Sequence, residues 1–209
     1  MTLLMKPGPG VAFFLVLFMA WSWTNVSLAR STRIAEPSYT VIASYSGFEV
    51  RRYDSLLQAR TQIAGSRGMS DGFRRLARYI FGGNSSGEQI SMTAPVTREE
   101  SSEGWEMTFA MPTDFSMATL PLPLDERVSL EEVPVRELAV VRFSGWASER
   151  KVKRKTKALL ASLEKEGVIA AGAPMVAQYD PPFRFPAFRR NEILVEIETA
   201  ERPAGSGLL

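Results

Sequence analysis

Residues 69–83 read MSDGFRRLARYIFGG, and this pattern predicts an amphipathic α-helix that ends at a pair of glycines. The apolar residues recur three or four positions apart, which places them on one helical face. They are Met69, Phe73, Leu76, Ala77 and Ile80. Ser70 is a residue type that caps helix starts, and Gly82-Gly83 is a typical stop. The segment therefore predicts a helix that packs one face against a neighbouring layer.

Extended segments lie on both sides of this helix. Runs rich in β-branched and aromatic residues predict strands at 39–43, 48–53, 56–63, 90–96 and 105–111, with a polar loop at 97–104. The second half repeats the order, with strands at 128–133 and 138–144, a helix at 148–166, and strands at 175–180 and 192–197. Neither helix can bury its apolar face alone, and each half-sheet has open edges. We therefore expect one α+β domain in which both halves form a curved sheet or barrel with two helices packed outside it.

The first 29 residues have the pattern of a secretory signal peptide. Lys6 supplies a positive start, residues 11–23 are almost wholly apolar, and Ser27-Leu28-Ala29 predicts cleavage after Ala29. The alternative is an uncleaved membrane anchor, although the apolar run is shorter than the ~20 residues that a spanning helix needs. We expect an exported protein, periplasmic or secreted, with a folded domain at residues 38–198 and a flexible tail at 199–209. Membrane contact is expected only through the N-terminal segment, if it is uncleaved.

The composition excludes several kinds of chemistry. The chain has no histidine and no cysteine, so it can form neither a Ser-His-Asp triad nor a Cys-His pair, and it has no disulfide. The commonest transition-metal ligand and general base are missing with histidine. The formal net charge is +2, which does not indicate a nucleic-acid surface. We expect no metal site and no nucleic-acid partner.

Seven short motifs occur in a fixed order between residues 48 and 192. They are FEVRRY at 48–53, GGN at 82–84, ISMTAPV at 90–96, FAMP at 109–112, AVVRFSG at 139–145, YDPP at 179–182 and RRNE at 189–192. Together they resemble the SOUL heme-binding family across roughly residues 38 to 198. The resemblance implies a distorted eight-stranded antiparallel β-barrel with two flanking α-helices, built from a duplicated βαββ repeat. Effector-binding domains of certain bacterial transcription regulators share this architecture, so the fold alone does not decide the function.

The resemblance also implies a binding site on the first helix. In the family a tetrapyrrole rests against this helix, and basic residues on the helix and in the loop after the Asp-Pro-Pro segment meet its propionates. These positions correspond to Ser70, Ala77 and Arg78 and to Arg184, although Ser70 departs from the basic residue that is frequent in the family. The implied apolar platform consists of Met69, Phe73, Leu76, Ala77, Phe183 and Phe185. The alternative is that Met69, Phe73, Leu76 and Ile80 only pack on the barrel.

We therefore expect a monomeric, non-enzymatic protein that binds heme, another porphyrin or a similar flat hydrophobic anion without histidine ligation. Met, Tyr, Lys or water could still reach the iron, but a methionine or tyrosine alone is an uncommon heme anchor. A porphyrin is thus not expected to be held stably through its metal.

Two other functions stay open. One is a hydrolase that uses a buried carboxylate and an aromatic residue, for which Glu192 and Tyr179 are the candidates. The other is an interaction or scaffold protein with an empty groove, whose contact surface would be the basic segment KVKRKTK at residues 151–157. That segment also fits a solvated helix face.

Overall fold

A computed structural model describes residues 34–101 and 104–198. In chain order the elements are β1 (Tyr39–Tyr45), β2 (Phe48–Tyr53), β3 (Leu56–Ile63), α1 (Met69–Ile80), β4 (Val96–Ser101), β5 (Gly104–Ala110), β6 (Val128–Val133), β7 (Arg136–Phe143), α2 (Glu149–Lys165), β8 (Met175–Gln178) and β9 (Asn191–Glu196). Short 3-10 helices span Gly65–Gly68 and Pro186–Phe188. The predicted signal peptide at 1–29 and the predicted tail at 199–209 lie outside the described residues. Neither described helix is long and apolar enough to cross a membrane.

The nine strands form one antiparallel sheet in the order β1-β2-β7-β9-β8-β4-β5-β3-β6. β1 and β6 stand at its two ends, so the sheet does not close and is at most a distorted barrel. The predicted α+β class, with an antiparallel sheet and two helices, is confirmed. The resemblance implied eight strands, and the ninth is β1, which within residues 34–101 and 104–198 pairs only with β2.

The strand order is symmetric about the β4–β8 pair. β5, β3 and β6 follow on one side of this pair, and β9, β7 and β2 follow on the other. The helices connect equivalent strands, since α1 joins β3 to β4 and α2 joins β7 to β8. The duplicated βαββ repeat stays a prediction, and this connectivity is what such a repeat would produce.

Both helices cover the same face of the sheet. Met107 belongs to the core under α1 and Val176 to the core under α2, and both lie directly opposite residue 98 of β4. Directly opposed residues of paired strands share a face. The helix α1 sits close to β3, because a Cβ on Gly72 would lie 2.3 Å from the Cγ2 atom of Ile63.

The other side of the sheet, called here the helix-free face, carries a smaller apolar cluster. The cluster consists of Tyr53, Leu138, Val140, Met175, Ala177 and Leu194, with Tyr179 packed against it. Charged and polar side chains surround this cluster, among them Arg51, Thr108 and Glu192, all of which are buried. This face therefore combines an apolar centre with buried ionic contacts.

The prediction of a strand at 90–96 followed by a loop at 97–104 is wrong. Within residues 90–95 only Thr93 forms a bridge, to Ala35, and the strand runs from Val96 to Ser101 and pairs with both β5 and β8. Pro95 has no N–H to donate to a strand ladder, so regular pairing begins after it. In this strand Thr97 faces Thr108 on the helix-free face, and Arg98 lies on the helix-covered face opposite Met107 and Val176.

The predicted cap of α1 is also wrong. Ser70 lies inside the helix, and the capping position is Gly68, with no side-chain hydrogen bond. The predicted stop is confirmed, because α1 ends at Ile80 and Gly82 adopts a φ of 95°. That left-handed conformation is readily accessible to glycine, and it lets the N–H of Gly83 donate to the carbonyl of Arg78 at 2.8 Å.

Candidate functional site

On the helix-free face, a buried ion pair engages one of the two residues considered for hydrolysis. The Nη1 and Nη2 atoms of Arg51 donate to the Glu192 carboxylate at 2.9 and 3.3 Å. The hydroxyl of Tyr179 donates to the same carboxylate at 2.7 Å. Glu49 forms a second ion pair with Arg51. Glu192 therefore has its charge compensated by Arg51 and accepts a further hydrogen bond from Tyr179.

The pKa values of Arg51 and Tyr179 are shifted by these contacts. Burial alone would lower the pKa of Arg51, but its hydrogen bonds to Glu192 and Tyr53 raise the pKa above the ordinary arginine value. Burial raises the pKa of Tyr179, and the negative charge of Glu192 raises it further. Arg51 is thus a permanent cation and Tyr179 a neutral phenol.

The cleft on the helix-free face is too small for a tetrapyrrole. Its volume is about 50 Å³, and Tyr53, Thr108, Arg136, Met175 and Tyr179 are among its lining residues. Drug-sized ligands occupy pockets of roughly 300 to 1,000 Å³. This cleft is therefore too small to enclose a porphyrin.

The helix α1 presents a partly apolar surface beside β4 and β5, which we call the α1 strip. It consists of Met69, Ser70, Phe73 and Ala77, of which Ser70 and Phe73 are exposed and the other two are half-buried. Phe73 is 39% exposed and meets the ring of Phe109 edge-on, with the centroids 5.4 Å apart.

Leu76 and Ile80 differ from the strip. They are 0% and 1% exposed, so they pack on the sheet as the structural alternative proposed. The apolar platform implied for α1 is thus reduced to Met69, Phe73 and Ala77.

Arg78 does not join the α1 strip. It lies about 140° around the helix from Phe73, counting about 100° per residue. It lines a polar groove of about 520 Å³ together with Arg75, Tyr79, Asp125 and Arg127, among others. The structure therefore separates Arg78 from the platform that the resemblance placed beside it.

The loop at residues 181–190, called here the aromatic loop, carries the other predicted contacts. Phe183, Phe185 and Phe188 are 87%, 67% and 69% exposed. The Nη1 atom of Arg184 donates to Asp180 at 2.6 Å, which anchors this predicted propionate contact to its own loop.

Contacts connect the aromatic loop with the start of α2. The carbonyl of Pro186 accepts from the N–H of Gly145 at 2.8 Å, and the Arg189 guanidinium lies 3.8 Å from the ring centroid of Trp146. Trp146 is itself 60% exposed. The loop therefore presents its phenylalanines beside a further exposed aromatic side chain.

Sequence reasoning missed Arg98, which lies on β4 between the starts of the two helices. Its side chain donates from Nη1 to the sulfur of Met69 at 2.9 Å and from Nη2 to the carbonyl of Ala147 at 3.5 Å. The residue is only 5% exposed. Arg98 thus links the α1 strip to the segment that enters α2.

Arg98 has no carboxylate partner at ion-pair distance among the described residues, and its Nε atom has no hydrogen-bond partner there. Burial lowers the pKa of Arg98, and the charge of Glu149 raises it in part. Only Val96 is apolar in the order Val96-Thr97-Arg98-Glu99, so no alternation marked a strand and the polar composition of this segment had indicated a loop.

A family model for the SOUL heme-binding protein matches residues 34–196. The chain belongs to the SOUL heme-binding family. This SOUL protein is 25% identical to heme-binding protein 1 of Xenopus laevis over 156 residues, which cover 70% of this chain and 81% of the frog protein. It is 30% identical to heme-binding protein 1 of Mus musculus over 127 residues, which cover 57% of this chain and 66% of the mouse protein.

Solved structures show the same fold at low identity. The EcmrR C-terminal domain aligns with this SOUL protein at a TM-score of 0.57 and 12% identity, covering 77% of this chain and 98% of that domain. A hydrolase from Listeria innocua aligns at a TM-score of 0.51 and 11% identity, covering 75% and 94%. These likenesses describe the architecture and carry no argument about activity.

Two of the motif residues that carried the resemblance have structural roles in this SOUL protein. The amide of Asn84 is buried and donates to the carbonyls of Tyr79 and Glu88 at 3.0 and 2.8 Å. The amide of Asn191 donates to the carbonyl of Gly145 at 2.9 Å. Both residues hold a loop to a regular element.

The residues fit the body and the acid groups of a tetrapyrrole better than its metal. Neither histidine nor cysteine exists to ligate iron, and the described residues contain no cluster of acidic side chains that could hold a metal ion. The sulfur of Met69 already accepts a hydrogen bond from Arg98. An apolar strip and a buried cation with an unused donor do fit a flat ring that carries carboxylates.

Proposed function

We propose that this SOUL protein binds a tetrapyrrole, either heme or a metal-free porphyrin, or a similar flat hydrophobic anion, and that it does so without histidine ligation and without catalysis. The observation that carries the proposal is the exposed ring of Phe73 on α1, beside half-buried Met69 and Ala77. Family membership supports tetrapyrrole binding in general. The curated relatives are named heme-binding protein 1.

Ring burial supplies most of the affinity in this proposal. Covering several hundred Å² of apolar surface yields roughly 10 kcal/mol at ~25 cal/mol per Å². Association costs of about 4 to 15 kcal/mol offset much of this gain. A moderate affinity with little preference for the metal follows.

Parallel titrations test the absence of ligation. Hemin and protoporphyrin IX are added to the purified full chain, and binding is followed by Soret absorbance and porphyrin fluorescence. We expect dissociation constants within about threefold of each other, which is less than 1 kcal/mol. Hemin binding that is tighter by about thirtyfold or more would contradict the absence of an iron ligand.

A substitution on the α1 strip tests the location. Phe73→Ala removes the exposed ring, and we expect affinity for both porphyrins to fall roughly tenfold because apolar contact is lost. Leu160→Ala on α2 is the matched control, since Leu160 is 38% exposed and lies outside the strip. Equal effects of the two substitutions would place the site elsewhere.

The two arginines implied by the resemblance are expected to differ. Arg184→Ala alters a residue on the aromatic loop, whereas Arg78→Ala alters a residue in a separate polar groove. We expect the smaller loss of porphyrin affinity for Arg78→Ala. The reverse order in fluorescence titrations would move the ligand to the groove of Arg78.

The interaction-protein alternative is favoured if no spectral change occurs with either porphyrin. Its basic segment at 151–157 lies on α2, where Lys153, Arg154 and Lys157 are exposed. Lys151 is less free to contact a partner, because its Nζ donates a hydrogen bond to the carbonyl of Ser144 at 2.6 Å.

We also propose that the protein is exported. N-terminal sequencing of protein recovered outside the cytoplasm tests this proposal.

A further inference from the structure

Arg98 is a buried cation that has neither an ion-pair partner nor a full set of hydrogen bonds among the described residues. Its contacts among the described residues are a thioether at 2.9 Å, a carbonyl at 3.5 Å and the Trp105 ring, whose centroid is 6.0 Å away. A thioether is a weak acceptor, and Nε has no acceptor. Burying a charge is costly unless an opposite charge and hydrogen bonds compensate it. An anion at Nε would supply both.

Both helices begin next to this guanidinium. Met69, which contacts Arg98, is the first residue of α1, and Ala147, which also contacts it, precedes the capping residue Ser148 of α2. Neither helix has a side-chain cap. The free N–H groups of a first turn carry partial positive charge and favour anions. The two helix starts therefore add to the positive potential of Arg98.

Glu149 is the acid whose charge acts on Arg98. It raises the pKa of Arg98, yet it forms no ion pair with the guanidinium within 4.0 Å. Its side chain is exposed in the first turn of α2. Glu149 thus compensates the charge of Arg98 only in part, and Arg98 itself is 5% exposed.

We propose that Arg98 is the carboxylate anchor of the ligand site, receiving an acid group of the flat ligand between the two helix starts while the ring covers the α1 strip. This inference rests on the proposed function and adds the position that recognises the acid. The contact with Met69 places the cation at the end of the strip where α1 begins. An arginine fork suits a carboxylate, because two parallel N–H groups can donate to its two oxygens.

The test compares protoporphyrin IX with its dimethyl ester, which keeps the ring and lacks the acids. Both are added at nanomolar concentration to the full chain and followed by fluorescence. We expect the diacid to bind the wild type roughly 10- to 100-fold more tightly than the ester, as for a hydrogen bond to a charged group. Arg98→Met should abolish that difference, so that the diacid and the ester bind this variant with equal affinity. Arg154→Met, which removes an exposed arginine of α2, is the charge-matched control.

A second substitution keeps the test decisive if Arg98→Met does not fold. Glu149→Gln removes the exposed competing charge, and we expect it to tighten the diacid about threefold without affecting the ester. If neither ligand binds the wild type, the proposed function fails. If both bind equally, and Glu149→Gln changes neither, the proposed function stands and the role of Arg98 is overturned.

Discussion

The buried pair between Arg51 and Glu192 gives the sharpest stability prediction. Their side chains are 5% and 2% exposed, and Glu192→Gln would remove the charge that neutralises Arg51 from across the sheet. Removing one partner of a buried pair costs about 3 to 5 kcal/mol. Arg51 keeps its ion pair with Glu49, whose side chain is 33% exposed, so we expect the lower end, about 3 kcal/mol.

This loss is measurable by urea and thermal unfolding followed by circular dichroism. For a domain of this size about 3 kcal/mol corresponds to a fall in Tm of roughly 6 to 12 °C. The double variant Arg51→Met/Glu192→Leu should recover part of the loss, because no buried arginine is left without its carboxylate, although Glu49 loses its ion pair and the Tyr179 hydroxyl loses its acceptor. If Glu192→Gln unfolds within about 1 kcal/mol of the wild type, the pair does not stabilise this face, and a functional role for Glu192 has to be reconsidered.

Three further predictions concern the layer under α1. Gly72→Ala places a Cβ 2.3 Å from the Ile63 side chain. We expect the free energy of unfolding in urea to fall by ~1 kcal/mol, since the overpacking costs more than the higher helix propensity of alanine gains. An increase in stability would show that α1 can shift away from β3. Asn84→Ala leaves the carbonyls of Tyr79 and Glu88 without their donor, so unfolding free energy should fall by about 2 kcal/mol, and a loss no larger than that of an exposed alanine substitution would contradict this role. Burial raises the pKa of Tyr79 to about 12 in the folded protein, whereas the phenol of the unfolded chain ionises near 10. The folded state therefore has the full stabilisation from neutral Tyr79 below about pH 10. As the pH rises from there to the folded pKa, the free energy of unfolding falls by ~1.4 kcal/mol per pH unit. Tyr79→Phe should flatten that part of the stability profile, and an unchanged slope would assign it to other groups.

Local pattern was sufficient for much of the fold. Helical spacing located α1, and Gly82 ended it as predicted because a left-handed residue cannot continue a helix. Local pattern did not predict the strand after Val96, whose polar residues are accommodated by contacts with other strands. Thr97 faces Thr108 across the sheet, but this polar segment was interpreted as a loop. Because the segment was predicted as a loop, Arg98 was not recognised as a site residue, although it is buried and forms no ion pair among the described residues.

The sequence by itself determined the absence of histidine and cysteine, the family, and the helix on which a ligand is expected to rest, because these depend on residue identity and on spacing within about twenty residues. Only the tertiary structure decided which charged side chains are paired, exposed or buried without an ion-pair partner. It paired Glu192 with Arg51 and moved Arg78 into a separate groove, and it buried Arg98 between two helix starts that lie 80 residues apart in the chain. Burial and charge pairing are long-range properties, since strands β4, β5 and β8 must assemble before the surroundings of Arg98 exist.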